Sequence, residues 1–443
     1  MTEAKAPVAV VCLKETEIGT IAPGWKPTNF GDVCTRVQDA ASPSADGERL
    51  YLGLEHLASG LPALVGRGTE SDVRSGKTSF RSGDVLFGKL RPYLRKSVLV
   101  GEDGICSTDI LVFRATEKCI PEFICLLTHT DEFVGHAKAT TSGVQHPRTS
   151  WSGLREFKLH VPPVPEQRKI AVVLGVVQRA MEQQERLLAL TAELKQTLLH
   201  QLFTAGLRGE PQKQTDLGPV PQSWEVVPLR DCCAVQTGVA KGRKVDEKEA
   251  LTLPYLRVAN VQSGYLDLSE MKTVTIRAKE KDRFLLQKGD IVLTEGGDFD
   301  KLGRGFIWNG EIEECIHQNH IFAVRVNRSR LLPEFFAHLS QSPYGKAYFL
   351  SVAHKTTNLA CINTTKLKGF PVLVPNKVEQ REIVQTLESM DAKLANHGRK
   401  KRLLEDLFRT LLHQLMTAQL RVHDLDVEGL LDQAVPERQA DSP

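Results

Sequence analysis

The stretch "VPEQRKI" at residues 164–170 reads as the opening of a helix, and nearly the same phrase returns as "VEQREI" at 378–383. Its glutamates stand 213 residues apart in a chain of 443, so the phrase divides the chain into two similar halves. Downstream of each copy, apolar side chains recur with a largely 4-3 spacing. The first run is Ile170, Leu174, Val177, Met181, Leu188, Leu198 and Leu202; the second is Ile383, Leu387, Met390, Leu394, Leu404, Phe408, Leu411 and Leu415. A sustained 3.5-residue period is a coiled-coil seam rather than the wider stripe of a helix lying on a core. The spacing predicts helices over 166–208 and 379–421, each about 60 Å long at 1.5 Å per residue. Two seams in one chain pack most simply on each other, and an antiparallel pair would place the globules they follow at opposite ends. Polar breaks at Gln184, Thr191, His397 and Lys401 would fix the register. The alternative is that each helix packs on its own globule.

Working back from each helix, the two halves match element by element. Both open on a glycine with a tryptophan six residues later, "GTIAPGW" at 19–25 and "GPVPQSW" at 218–224. Next come strand-like segments ending in Ser-Gly, "RLYLGLEHLASG" and "LPYLRVANVQSG". A Gly-Asp turn then leads into an apolar strand in "FRSGDVLFGKLRP" and "LLQKGDIVLTEGG", and "DILVFR" answers "HIFAVR". Each half continues with a helix opening at proline (Pro121, Pro333), where the missing N–H has no intrahelical partner to lose. A Thr- or Asn-rich loop and a last strand, "FKLHVPPVP" or "FPVLVPNKV", close the globule. The reading is an α+β chain of two mixed α/β domains in pseudo-repeat, each followed by a long helix. Its expected divisions are 1–165, 166–208, 209–378 (beginning with a Gly- and Pro-rich linker), 379–421 and an acidic, disordered tail at 422–443.

Bulk composition narrows the class. The opening residues lack the apolar run and cleavage site of a secretory signal, and the most apolar run, "IAVVLGVV" from Ile170, is too short to span a bilayer. The expectation is a soluble cytoplasmic protein without membrane contact. Nine cysteines without a CxxC pair read as buried reduced thiols, Cys232 and Cys233 as core positions on a strand. Cys315, His317 and His320 resemble a zinc cluster but lack a second ligand pair, so no metal is expected. Net charge is +3, yet the tail after Arg421 holds six acids and one Arg, which leaves +8 on the rest. Four stretches contain bases and no acid: 85–101, 133–155, 315–333 and 355–378, two in each half. Local absence of carboxylates is what a phosphate-facing surface requires.

Catalytic signatures are sparse. There is no GxxxxGK[ST] loop, and "GDFDKLGRG" from Gly297 resembles a phosphate cradle only loosely. No Asn-Pro-Pro or Asp-Pro-Pro segment of an amino-methyltransferase occurs. Glu295, Asp298 and Asp300 are the best enzyme alternative, a carboxylate group able to hold Mg²⁺ for nuclease chemistry. The first half has no equivalent, and Arg304 stands close enough to compete, so a salt-bridged hairpin is expected there instead.

Two unlike globules, each followed by a long helix that opens "PEQR" or "VEQR" and ends "LLHQLFTAGLR" or "LLHQLMTAQLR", resemble the DNA-specificity subunit of type I restriction-modification systems. The resemblance covers residues 18–421 and extends to "GKLRPYLRK" at 88–96 and "GGDFDKLGRG" at 296–305, which look like parts of target-recognition domains. It implies a chain without catalysis or cofactor. Each globule would read one half of a split double-stranded DNA target, and the helices, as an antiparallel coiled coil, would set the gap. Two methyltransferase subunits and restriction/translocase subunits would assemble on it to direct DNA methylation and cleavage. Because the globules differ far more than the helices do, two unlike half-sites are expected rather than a palindrome. Inserting four residues near Thr191 would lengthen the helix by about 6 Å and should lengthen the accepted gap. A coiled-coil adaptor without DNA binding is the remaining alternative.

Arg and Lys reach guanine edges or phosphates, and Asn and Gln pair with adenine. On that basis the expected DNA contacts in the first half are Lys89, Arg91, Tyr93, Arg95 and Lys96, with Thr141, Ser142, Gln145 and Arg148. In the second half they are Lys301, Arg304, Asn319 and His320, with Lys355, Thr357 and Asn358.

Overall fold

The computed structural model describes residues 14–16, 19–242, 244–355 and 360–422; Thr357, Asn358 and the acidic tail lie outside the described residues. The chain forms two compact units, one built from the chain up to Gln184 together with that from Lys400, the other from Glu185–Arg399. Each is described separately.

The first unit is built on an antiparallel sheet in the spatial order Ser97–Leu99, Val85–Gly88, Ile110–Ala115, Cys34–Val37. Successive side chains of a strand point to opposite faces. Leu111 and Phe113 enter one apolar cluster with Val85 and Phe87, whereas Ile110 and Val112 enter another with Leu86 and Val98. Burial on both faces explains why "VLF" and "ILVF" are continuous apolar runs rather than alternating ones. Phe30, Phe113 and Phe133 pack edge-to-face at 5.2 and 4.9 Å between ring centres, each buried ring contributing about 1.5–3 kcal/mol. A second sheet holds Leu50–Leu52 parallel to Gly104–Cys106. The strands that open and close the globule, Lys26–Asn29 and Lys158–Val161, pair with each other.

The second unit repeats this plan. Its central sheet runs Gly305–Ile307, Ile291–Thr294, Ile321–Val326, Cys233–Thr237. Leu293 and Phe322 face one cluster, and Val292 and Ala323 the other. A parallel pair joins Tyr255–Leu256 to Ile316–His317, and Glu225–Pro228 pairs with Pro371–Val374. Here the structure refines the expected strands. "RLYLGLEHLASG" and "LPYLRVANVQSG" each carry a strand only to Leu52 and Leu256, then turn through 3-10 segments at Leu54–His56 and Val258–Asn260. Their caps explain the turns: His56 Nδ1 accepts from the Gly53 amide at 3.0 Å, and Asn260 Oδ1 from the Arg257 amide at 2.9 Å.

The Gly-Asp turns have a matched internal function. Asp84 accepts from the Arg81 amide at 2.8 Å and takes both Arg114 nitrogens, Nε at 2.8 Å and Nη2 at 2.7 Å. Asp290 accepts from the Gln287 amide at 2.9 Å and from Arg325 at the same 2.8 and 2.7 Å. Both carboxylates are buried. The acid of each turn therefore locks onto the arginine one residue before the end of the neighbouring strand.

The long helices run Val164–Thr204 and Lys377–Met416. Asn376 caps the second, its Oδ1 accepting from the amides of Val378 and Glu379 at 3.1 and 3.0 Å. Within the first unit Ile170, Leu174 and Met181 share an apolar cluster with Phe408 and Leu415, with Val177, Leu404 and Leu411 packed against it. Within the second, Leu202 shares one with Ile383 and Leu387, with Leu198 alongside. Met390 is buried, and Leu188 and Leu394 are half-buried. Lys195 and Asp391 form an ion pair there.

Of the cysteines, Cys34, Cys106, Cys119, Cys125, Cys232 and Cys315 are buried free thiols, but Cys361 is exposed on the middle strand of a small three-stranded sheet, contrary to the expectation that all are buried. Cys232 ends a 3-10 turn and Cys233 begins the strand, their sulfurs 3.7 Å apart.

Candidate nucleic-acid interface

In the first unit three segments converge where strand Val85–Gly88 ends. The following loop closes on itself, Gly88 N–H donating to Lys96 O at 2.8 Å, around a single 3-10 turn at Pro92–Leu94. Arg91 and Arg95 flank that turn at φ of 51° and 50°, a left-handed backbone that costs a non-glycine residue about 1–3 kcal/mol. The surroundings hold it. Arg91 N–H donates to Pro147 O at 2.8 Å, and the Arg95 guanidinium reaches His129 O at 2.9 Å and Asp131. Alongside lies the later loop, in which Ser142 and Arg148 exchange backbone hydrogen bonds at 2.9 and 3.0 Å. Lys89 joins the pieces, its N–H donating to Asp109 O at 2.9 Å and its O accepting from Thr149 at 3.1 Å.

This geometry divides the nine expected contacts. Arg95 is tied to Asp131, Lys96 Nζ donates to Leu54 O at 2.5 Å, and Arg148 forms a two-point pair with Asp109 at 2.8 and 3.1 Å. These three brace the loops. Arg91, Tyr93, Ser142 and Gln145 are exposed; Lys89 and Thr141 are half-buried, and Thr141 Oγ1 donates to Lys138 O at 2.8 Å. Sequence reasoning missed Asp109 and the fully exposed Val144. The Asp109 carboxyl is held below the ordinary carboxylate range, chiefly by the Arg148 hydrogen bonds and further by the charges of Lys89 and His146.

The second unit builds the same junction from other side chains. Glu295 N–H donates to His320 O at 2.9 Å and Glu295 O accepts from Ile362 at 2.9 Å, the bonds made by Lys89 in the first unit. Gly296–Gly297 pairs with Ala360–Cys361, which pairs with His354–Lys355. Glu295 binds His320 at 2.7 Å, and Asp298 pairs with Lys301, which draws its carboxyl below the usual range. The acid-rich turn is thus paired within itself, Glu295 by a hydrogen bond to His320 and Asp298 by a salt bridge to Lys301. Arg304, expected to compete for those acids, is half-buried and directs Nη2 to Val258 O at 3.4 Å. Asn319 is half-buried, His320 is exposed, and Lys355 is described only by its backbone. Among the described residues no three His, Cys, Asp or Glu side chains stand where they would share a metal ion. Cys315 and His317 are buried while His320 turns to Glu295. Nor, among those residues, is any helix long and apolar enough to cross a membrane.

With the repeated framework in view, the comparison with known families is decisive. The sequence pattern of the type I restriction modification DNA specificity domain matches residues 63–192 and again 221–406. The chain belongs to that family. It is 24% identical over 427 residues to the type I restriction enzyme MjaVIII specificity subunit of Methanocaldococcus jannaschii, covering 91% of this chain and 94% of the relative. Its match to the EcoDI specificity subunit of Escherichia coli, 26% over 203 residues, spans 44% of this chain and 45% of that relative, about half of each. A chain from a structure of complex assembly and conformational transition in a type I R-M system aligns with a TM-score of 0.54 at 21% identity, covering 90% of this chain and 99% of that one. That chain thus shares this fold at low sequence identity.

Proposed function

We propose that this chain is the DNA-specificity subunit of a type I restriction-modification assembly and reads a bipartite target with two unlike halves. Globules at 1–165 and 209–378 would each read one half, and the helices over 166–208 and 379–421, paired antiparallel as a coiled coil, would set the gap. The chain would carry no catalysis and would scaffold methyltransferase and restriction subunits. One observation carries the reading: the same backbone junction stands in both units, bearing Lys89 and Asp109 in one and Glu295 and His320 in the other. A framework repeated with different side chains suits two different half-sites. The antiparallel pairing is supported by the clusters in which Ile170 and Leu174 meet Leu415, and Leu202 meets Ile383.

The direct DNA contacts we assign are Lys89, Arg91, Tyr93, Ser142 and Gln145 in the first unit and Asn319 and His320 in the second, with Lys301 at its edge. Arg95, Lys96, Arg148 and Arg304 hold the loops that present them. Co-expression with the adjoining methyltransferase subunit in a methylation-free host, followed by genome-wide mapping of modified adenines, tests the reading. A split motif with unlike halves that vanishes without this chain is expected. Soluble complexes that leave no motif, or a palindromic one, would refute it.

A further inference from the structure

The repeated phrase contains a glutamine whose bonds are the same in both units. Gln167 Oε1 accepts from Ile120 N–H at 2.9 Å, and its Nε2 donates to Lys118 O at 3.0 Å and Pro162 O at 2.9 Å. Gln380 Oε1 accepts from Leu332 N–H at 2.8 Å, and its Nε2 donates to Arg330 O at 2.9 Å and Pro375 O at 2.8 Å. Neither has any exposed surface. One planar amide thus ties the backbone just before each long helix to both sides of the loop that leads into the Pro121 or Pro333 helix. The preceding glutamate is not conserved in its contacts. Glu166 binds Trp25 Nε1 at 3.1 Å and Arg421 at 2.8 Å, whereas Glu379 meets the Leu207 amide at 3.4 Å and buried Trp224 Nε1 is unbonded.

The glutamine sits at the pivot between helix and globule. Within the first unit the helix runs from Val164 to Gln184, about 30 Å at 1.5 Å per residue. A swing of about 6° at its base moves the far end by about 3 Å, close to one base-pair rise of about 3.4 Å. A hinge looser than that would let a neighbouring gap be accepted. Three buried hydrogen bonds with fixed directions restrict such a swing more than apolar contact does, because sliding one apolar surface over another breaks no directional bond.

We propose that Gln167 and Gln380 are positioning residues for gap selection: each fixes the angle of its helix on its globule and thereby enforces one distance between half-sites without touching DNA. This rests on the bipartite reading above. The test uses the full chain with its methyltransferase partner in the methylation-free host, comparing wild type, Gln167→Met, Gln380→Met and the double variant. A control, Ile105→Ala, lowers stability in the first globule's sheet without touching the pivot. The expected result is unchanged half-sites, with the ratio of methylation at the native gap to that at gaps one base pair longer or shorter falling by about tenfold, equivalent to about 1.4 kcal/mol. The double variant should fall further. Folded Met variants that keep the wild-type ratio and lose only overall methylation, as Ile105→Ala should, would overturn the proposal. If the Met variants are insoluble, Gln167→Asn and Gln380→Asn retain the amide one methylene short, and an unchanged ratio in them counts equally against it. A wild-type chain that yields no split motif removes the underlying reading and the proposal with it, an outcome distinct from an unchanged gap.

Discussion

Lys89 and Glu295 hold the same place in two copies of one framework, and so do Asp109 and His320. In each pair the backbone makes the same bond, at 2.9 Å in both units. The side chains carry opposite formal charge at the first position, and an acid faces a histidine at the second. Ladder hydrogen bonds belong to the peptide group and do not depend on the side chain, so a residue just beyond the end of a central strand can change sign without disturbing the sheet. Beneath this exchange the interior is duplicated. Asp84–Arg114 and Asp290–Arg325 agree in each hydrogen-bond distance, and the glutamines at the helix starts agree to about 0.1 Å. The contrast teaches where the constraint lies: in buried polar clamps that orient strands and helices, and not in the residues just beyond the ends of the same strands.

The most severe test of that comparison is to cut the clamps. Asp84→Ala and Asp290→Ala each leave an arginine facing the void of a buried carboxylate. Breaking a buried pair costs about 3–5 kcal/mol, and the lower end applies because the guanidinium groups keep over a third of their surface in water. A loss of about 3 kcal/mol in each unit, read from denaturant midpoints with peptide-resolved hydrogen exchange, is expected. A loss in one unit below about 1 kcal/mol would show that only one clamp bears load.

Protonation should separate the units in the other direction. Burial pushes His129 in the first unit, and His317 and His338 in the second, down to about 4. Unfolded histidine titrates near 6.5, so between those values the unfolded chain binds protons that the folded one refuses. Stability is therefore full above about pH 6.5 and falls as pH drops toward 4. Each group should contribute roughly 1–2 kcal/mol of loss by pH 5. Exchange rates in the second unit should rise more steeply between pH 7 and 5, once corrected for intrinsic chemistry. The first unit also holds His160, half-buried and lowered by burial, so an equal rise in both units would show that it offsets the second deeply buried histidine of the other unit.

The duplicated interior was largely visible in the letters. The 4-3 spacing located both helices, and the Gly-Asp turns and paired apolar runs located the central strands, because local periodicity and turn chemistry are short-range properties. What stayed hidden was long-range pairing. Arg95 and Arg148 lie in stretches free of acids, yet they find Asp131 and Asp109, 36 and 39 residues away in sequence. Acid-free windows report composition along the chain and cannot report which carboxylate another segment brings across a sheet edge. The clamp acids were legible as a repeated Gly-Asp and a repeated arginine near the strand end, but their meeting required the strand order. The two-residue strands His354–Lys355 and Ala360–Cys361 are too short to carry any periodicity.

The smallest expected effect concerns the inverted position itself. Lys89 lies at the loop junction with its ammonium near enough to Asp109 to lower that acid's pKa. Removing it should cost one cationic contact with DNA phosphate. Each such contact contributes about 0.9 to the slope of log affinity against log salt, so Lys89→Ala should flatten that slope by about one in the assembled complex while leaving the half-sites unchanged. Glu295 stands at the equivalent position and is spent on His320; Glu295→Ala removes a carboxylate rather than a phosphate partner. Its slope should not flatten, and affinity should hold or rise slightly as repulsion of the backbone is relieved. If both substitutions flatten the slope alike, the two junctions meet DNA in the same way and the charge difference carries no information about the half-sites. If Lys89→Ala instead changes which base is methylated beside the gap, the side chain reads an edge rather than a phosphate, and the comparison between the units becomes one of specificity rather than of charge.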